Sequence, residues 1–420
     1  MRLRASITIV ALGLSFGATT AITQPAPSVV QLAVESHANA TPWIAARGEF
    51  VAVAWGATPA TGGADVYVAV SRDSARTFDR PVRVNARAGT ARLGGELPPR
   101  VALSPAESNS AGPSITVVWG AKEATTEIRS ARSSDGGRRF SGEHALSTTG
   151  VAGDRGWHAL TIDQRGTPHV LWLDHRGLAA RPKTAHDHHG DGADMAQFSG
   201  LYYSAGAAER ELAKGVCYCC KVAFAAGATG SLYAAWRHVY KGNIRDIAFL
   251  TSRDGGRTFS SPTRVSEDNW QLAGCPDDGP AIGVGDDGVV HLVWPTVIGG
   301  ESPQGALFYA STRDGRTFTP RHRIPTLGSP KPSHPQIVVG PKGGLVVAWD
   351  EVVDGKRRAA ARILRLAPDG KASMGEIVPI GAGDANAYPV MAMTDRGLVT
   401  AWTHGTGAAS RISVAQLSTP

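Results

Sequence analysis

Pro280-Ala-Ile-Gly-Val-Gly-Asp-Asp-Gly-Val-Val-His-Leu-Val-Trp294 holds the unit from which the fold is read. Two short apolar runs, Pro280 to Val284 and Val289 to Trp294, flank a turn at Gly288, the pattern of two buried strands joined as a hairpin. The arrangement returns as Pro335-Gln-Ile-Val-Val, with Gly343 ahead of a run that ends at Trp349. Further out, seven of the ten tryptophans close such runs: Trp55, Trp119, Trp172, Trp236, Trp294, Trp349 and Trp402. They stand 64, 53, 64, 58, 55 and 53 residues apart. After each comes a variable loop, then a third strand, as before Ser71, Ser133, Ser252 and Ser311, and a weaker fourth strand, as before Asn85 and Ser266. Such a sheet has two apolar faces and buries both only when neighbours stack around an axis. The reading is all-β: a β-propeller of four-stranded blades, seven by the tryptophan count, with six as the alternative. The last unit lacks a clear fourth strand, and Ser28 to Val34 is expected to supply it.

Residues 1–21 read as a Sec-type signal peptide, with Arg2 and Arg4, an apolar run from Ile7 to Phe16 and small residues up to Ala21. Residues 22–36 form an N-terminal segment that includes the closing strand, and residues 37–420 a single propeller domain. The expected location is periplasmic or extracellular. No stretch reaches the roughly 20 apolar residues of a membrane span. The net charge of +7 is spread along the chain without a basic block, so a nucleic-acid partner is not expected.

The turns between third and fourth strands share a signature. Ser71-x-Asp73-x-Ala75-x-Thr77-Phe78, Ser133-x-Asp135-x-Gly137-x-Arg139-Phe140, Ser252-x-Asp254-x-Gly256-x-Thr258-Phe259 and the shortened Thr312-x-Asp314-Gly-Arg-Thr317-Phe318 occur at matching blade positions. They resemble the Asp-box, or BNR repeat, of the sialidase superfamily. A short carboxylate can accept backbone N–H groups inside such a turn, and the aromatic residue can pack between sheets, so Asp73, Asp135, Asp254 and Asp314 are read as structural. The resemblance implies a propeller fold. For sialidases it further implies an arginine triad, a Tyr nucleophile paired with Glu, an Asp acid/base and six blades. The family's early Arg-Ile-Pro motif is missing from the first unit. Arg323-Ile324-Pro325 lies in an outer strand instead.

If the boxes occupy one face of the disc, the loops after each Trp and those leading into each first strand share the other. That face carries Arg100, Trp157, His158, Asp277, Asp278, His334 and Tyr388. A carboxylate clamp would draw on Arg155, Arg176 and Arg237, with Tyr388 as nucleophile. Asp277 with Glu351 is a conceivable carboxylate pair. His169 and His291, each three residues before a repeat Trp, read as core histidines. All four cysteines lie in one place, Cys217-x-Cys219-Cys220 and Cys275. Cys217 and Cys275 each precede a repeat Trp by 19 residues, so a disulfide between them is one reading, with Cys219 and Cys220 as a vicinal pair or free. A thiolate site for Cu or Zn, completed by His175 and His238, is the other. His186 to Asp194, rich in His, Asp and Gly, reads as a divalent-cation loop or a solvated one.

These features lead to an exported sialidase-like propeller that binds a small ligand, a glycan or a metal ion at a Cys/His-rich mouth. The alternatives are an exo-sialidase-type hydrolase acting on acidic glycans and a scaffold docking another exported protein.

Overall fold

The structure, a computed structural model, describes residues 28–417 apart from 107–111, 181–191, 207, 273, 275, 300–302, 341–342 and 367–371. The signal-peptide reading of 1–21 lies outside the described residues. Seven antiparallel sheets follow one another around an axis. Blade 1 consists of His37–Arg47, Phe50–Pro59, Asp65–Ser71 and Val82–Arg83, and the next five follow in chain order, blade 2 with its inner edge split into two short strands. Blade 7 takes Asn386–Thr394, Gly397–His404 and Arg411–Gln416 from the C-terminal end, and its outermost strand, Val30–Leu32, from the N-terminal end. Seven blades, not six, close the ring.

The second strand of each blade is apolar on both faces because a neighbouring sheet covers each one. The seven repeat tryptophans are at most 3% exposed. Each large aromatic ring removes about 150–250 Å² from water, a gross stabilisation of about 5 kcal/mol apiece. An indole N–H left unpaired in that apolar setting is costly, and five of the seven have a side-chain acceptor, whereas those of Trp119 and Trp236 are buried without one. Asn39, Asp174, Asp268, Glu351 and Asn386 accept the N–H of Trp55, Trp172, Trp294, Trp349 and Trp402. Asn39, Asp174, Glu351 and Asn386 are therefore anchors of the repeat. Glu351 also accepts from the backbone N–H of Leu327 and Ser329, which removes it from any carboxylate pair with Asp277.

The Asp-box turns lie at the end of each sheet opposite the loops that follow the tryptophans. In the third box, Asp254 accepts from Ser252 Oγ at 2.8 Å, Thr258 N at 2.9 Å and Thr258 Oγ1 at 2.6 Å. Asp73 makes the equivalent set. The box aromatics reach back to the preceding blade: Phe259 meets the Tyr203 ring at 5.0 Å and Phe318 meets Phe249 at 5.4 Å. His169 and His291 each bond a tyrosine hydroxyl, Tyr203 at 2.8 Å and Tyr309 at 2.9 Å, as strand-embedded core residues.

Asn39 joins the two ends of the chain. Its side chain takes Val34 N and Trp55 Nε1 on Oδ1 and gives Nδ2 to Val34 O, His37 O and Ser410 O, while its backbone N–H donates to Ser410 Oγ. Asn39→Ala orphans at least two buried donors, so urea unfolding is expected to show a loss of about 2–4 kcal/mol. A loss below about 0.5 kcal/mol would show that closure does not depend on this residue.

Partial burial works against the Asp73 charge, but hydrogen bonds from Thr77, Ser71 and Arg76 outweigh it and lower the carboxyl to about 2. Backbone bonds from Thr317 and Arg316 likewise bring Asp314 to about 2. A carboxyl depressed in the folded state stabilises it above the unfolded value of about 4, and that contribution fades as pH falls toward the folded value. Replacing Asp73 and Asp314 together by Asn is expected to flatten the decline in Tm between about pH 4 and pH 2. An unchanged slope would assign acid sensitivity elsewhere.

Candidate functional site

The axial mouth opens on the face opposite the Asp-boxes, and one irregular blade shapes it. Blade 2 has a broken inner edge: Ala91–Arg92 pairs with Gly120 and Ala121, whereas Arg100–Ala106 pairs with the earlier part of the same strand. Residues 93–99 between them leave the sheet and carry Glu96 over the axis. Glycine at position 95 allows the close approach of Tyr388, whose hydroxyl would lie 2.6 Å from a Cβ there. The sequence signal was present as Gly94-Gly95-Glu96-Leu97-Pro98-Pro99. An apolar-run search passes over it, and Glu96 was missed.

Four other inner strands share a different device. Blades 1, 3, 6 and 7 shift register between Ala40 and Trp43, Gly156 and Ala159, Ser333 and Gln336, and Ala387 and Val390. Within these bulges Thr41, Trp157, His334 and Tyr388 all adopt positive φ, between 53° and 54°. Non-glycine residues in this region are strained, and a bulge of this kind re-aims a side chain.

Glu96, Lys221, Asp278, His334 and Asp350 form one buried chain of ionisable groups. Lys221 Nζ lies 3.5 Å from Glu96 Oε1 and 3.3 Å from Asp278 Oδ1. Lys221 N donates to Glu96 Oε2 at 2.9 Å, and His334 N donates to Asp278 Oδ2 at 3.0 Å. The His334 ring gives Nδ1–H to Asp350 Oδ2 at 2.8 Å and lies 4.3 Å from the Tyr388 ring. Asp350 also holds Arg357 and the backbone N–H of Tyr388. Burial opposes the His334 charge, but Asp350 and Asp278 outweigh it and raise the imidazole above its usual value. Burial raises the Glu96 carboxyl despite Lys221. Its Oε1, buried, has no hydrogen-bond partner.

Besides a small pocket of about 20 Å³ lined by Lys221, His334 and Tyr388, two larger cavities adjoin this chain. One of about 60 Å³ runs down the axis between the inner strands and is lined by Trp43, Arg100, Lys221 and Gln336 among others. The other, about 220 Å³, lies beside Asp278 and is walled by Trp270, Pro295, Lys331 and Arg237. Arg100 stacks on Trp43 at 3.6 Å, and burial lowers it to about 9.

The arginines expected to clamp a carboxylate do not converge. Arg155 is fully buried and spends Nε on Asp174 and Nη1 on the carbonyls of Thr126, Val151 and Gly153. Arg176 shares Asp174 with it, pairs with Glu209 and covers the Tyr202 ring. Arg237 donates to the carbonyls of Asp278, Arg245 and Pro295 one blade further on. Their donors are taken up within the protein, by backbone carbonyls for Arg237, by carboxylates for Arg176 and by both for Arg155, as buried carbonyls and carboxylates require. Tyr388, by contrast, does face the mouth.

The cysteines are brought together, though not as the pairing first considered. Cys217 and Cys220 are free thiols, so Cys217 is not in a disulfide with Cys275. Cys219 is disulfide-bonded, and Cys275 lies outside the described residues. The Cys217, Cys219 and Cys220 sulfurs cluster within 3.1–4.0 Å of one another. Among the described residues His175 and His238 do not join that group. Burial lowers both imidazoles to about 4, and each keeps one buried ring nitrogen without a partner. The metal set expected from sequence is thus only partly assembled, and a sulfur already in a disulfide is not a thiolate ligand. The His186–Asp194 reading lies largely outside the described residues.

No protein-family model matches the chain, and no curated protein does. Its fold does match solved structures. A Hadza microbial sialidase, Hz136, aligns over 87% of this chain and 77% of its own at 15% identity, with a TM-score of 0.50. An α-L-arabinanase of Penicillium chrysogenum, solved with arabinobiose, aligns over 93% of this chain and 98% of its own at 13% identity, also with a TM-score of 0.50. At such identities the likeness is one of architecture, and it establishes a sialidase-like β-propeller fold.

Proposed function

We propose that this is an exported propeller that binds a small polar ligand of glycan type at its axial mouth, without the arginine clamp of a sialidase. The observation that carries the reading is the buried chain of Glu96, Lys221, Asp278, His334 and Asp350. Each charge taken from water costs several kcal/mol before pairing, and hydrophobic residues would fill the same place at no such cost. Polar groups gathered at the mouth of a ring, beside cavities and aromatic faces, are what a hydroxyl-rich ligand needs: acceptors at Glu96 and Asp278, a donor at Lys221, and the Trp43 and Trp270 rings for its apolar side. Glu96 Oε1, in ion-pair range of Lys221 Nζ at 3.5 Å and His334 Nε2 at 3.8 Å but without a hydrogen bond, is an acceptor a ligand hydroxyl can use. Solved structures of similar fold include a sialidase and an arabinanase, which agrees with a glycan-type ligand.

A thermal-shift panel of sialic acid, arabinobiose and neutral mono- and disaccharides tests the reading. At least one sugar is expected to raise Tm, with calorimetry giving an affinity that Glu96→Gln weakens by about tenfold, the loss of one charge-assisted hydrogen bond. A fluorogenic sialoside is expected to show no turnover. If no sugar shifts Tm in the wild type, the glycan reading is wrong.

The mouth also has a pH signature. Because the His334 pKa is raised on folding, its stabilisation is full below the unfolded value of about 6.5 and disappears as pH rises through the higher folded value. Wild-type Tm is expected to fall on that alkaline side, and His334→Gln to remove the step. A step that survives in the variant would place the titrating group elsewhere.

A further inference from the structure

Arg100 takes no part in the ligand reading above, yet it brings a buried positive charge to the axis. We propose that the cavity running down the axis is a binding site for one small monovalent inorganic anion of the chloride type, with the Arg100 guanidinium as its main ligand and Lys221 and Gln336 beside it.

The protein itself uses this guanidinium only in part. Arg100 is 2% exposed. Its Nε donates to His158 O at 2.9 Å, which leaves the Nη1 and Nη2 donors without a hydrogen-bond partner among the described residues. Arg155, by contrast, pairs with Asp174, and Arg237 places its donors on three carbonyls. Among the described residues no carboxylate is in ion-pair range of Arg100; Glu96 acts on it from further off and gives its ion pair to Lys221. Burial outweighs Glu96 and lowers the guanidinium to about 9. The neighbouring His158 adds no charge, since burial and Arg100 bring its imidazole to about 3. A buried charge without a partner is costly, and an anion at its free donors removes that cost.

The cavity has the size and the walls for such an ion. It measures about 60 Å³ and is bounded by residues of blades 1 to 6. A water-sized particle needs about 10–15 Å³, so a chloride-sized ion fits with water still on it. The guanidinium lies 3.6 Å over the Trp43 ring, which lines the same cavity, so the charged end of Arg100 stands at the cavity wall. Lys221 and Gln336 bring further donors, and among the described residues no carboxylate lines the space. Much of the remaining wall is apolar, with Leu160 and Phe224. Such a wall favours a weakly hydrated anion over a strongly hydrated one.

The surrounding charges set the valence. Glu96, Asp278 and Asp350 face Arg100, Lys221, Arg357 and the His334 imidazolium. With all of these charged, one positive charge is left over. A monovalent anion matches it, whereas a dianion would exceed it.

The test is a chloride titration of the protein at constant ionic strength, with gluconate as the replacing anion, no sugar present and Tm as the readout. Wild-type Tm is expected to rise and saturate as one site fills, by binding to the folded state alone. Bromide is expected to replace chloride, and fluoride, sulfate and acetate to fail. Arg100→Gln is expected to weaken the apparent chloride affinity by about tenfold, through loss of charge-assisted donors. If that variant folds poorly, wild-type crystals grown in bromide still decide, with an anomalous peak expected within hydrogen-bond range of the Arg100 Nη atoms. Chloride and gluconate acting alike on wild-type Tm overturns the site, and a bromide peak without a saturating Tm effect marks an adventitious ion only. Acetate acting as strongly as chloride also overturns it, since the donors would then serve the carboxylate of a larger ligand. An undiminished chloride effect in folded Arg100→Gln places the anion elsewhere.

Discussion

Everything in this molecule depends on closing a ring. A blade buries its second strand only if another blade lies on each side, so an open array would expose two apolar faces at its ends. The chain solves this by giving blade 7 its outer strand from Val30–Leu32, paired with Arg411–Gln416. Asn39 then ties the same segment to Ser410 across 371 residues of sequence. The repeat tryptophans and the Asp-boxes gain their packing partners from that closure.

Closure also decides what the mouth can be. Seven first strands converge on the axis, and a regular strand would point alternate side chains along it without distinguishing one blade from the next. The positive-φ bulges at Thr41, Trp157, His334 and Tyr388, and the broken edge before Arg100, convert that symmetric ring into an asymmetric one. Local strain of this kind persists only where the surrounding sheet over-determines it. Here the inner strands pair with their neighbours on either side of each bulge, with the register shifted across it, so the flanking ladder holds His334 and Tyr388 in place.

Buried charge serves two purposes in this fold. Arg155 and Arg237 are as deeply buried as the tryptophans, yet their donors go to backbone carbonyls of loops and strand ends, Val151 and Thr126 for Arg155 and Asp278 and Pro295 for Arg237. They hold the mouth's frame. Glu96, Lys221 and Asp278 instead meet one another at separations of 3.3–3.5 Å beside open volume, with one carboxylate oxygen unbonded. The cysteine loop sits just ahead of Lys221 in sequence, which places sulfur chemistry next to the polar chain without making it part of that chain.

The tryptophan period, the Asp-box spacing and the spare strand at Ser28–Val34 were legible in the sequence because they are local patterns repeated in step. Burial period, turn chemistry and strand count need no knowledge of what lies across the axis. The set of polar residues on the mouth face was also largely readable, since His334, Tyr388 and Asp278 follow from their place at the entry to a first strand. Which of them meet was not readable. Glu96 stands 125 residues from Lys221, and Arg176 and Arg237, each in the segment after a repeat Trp, face different partners. Those outcomes depend on bulge geometry and on competition for buried acceptors between blades. Such competition is settled only when the ring is closed.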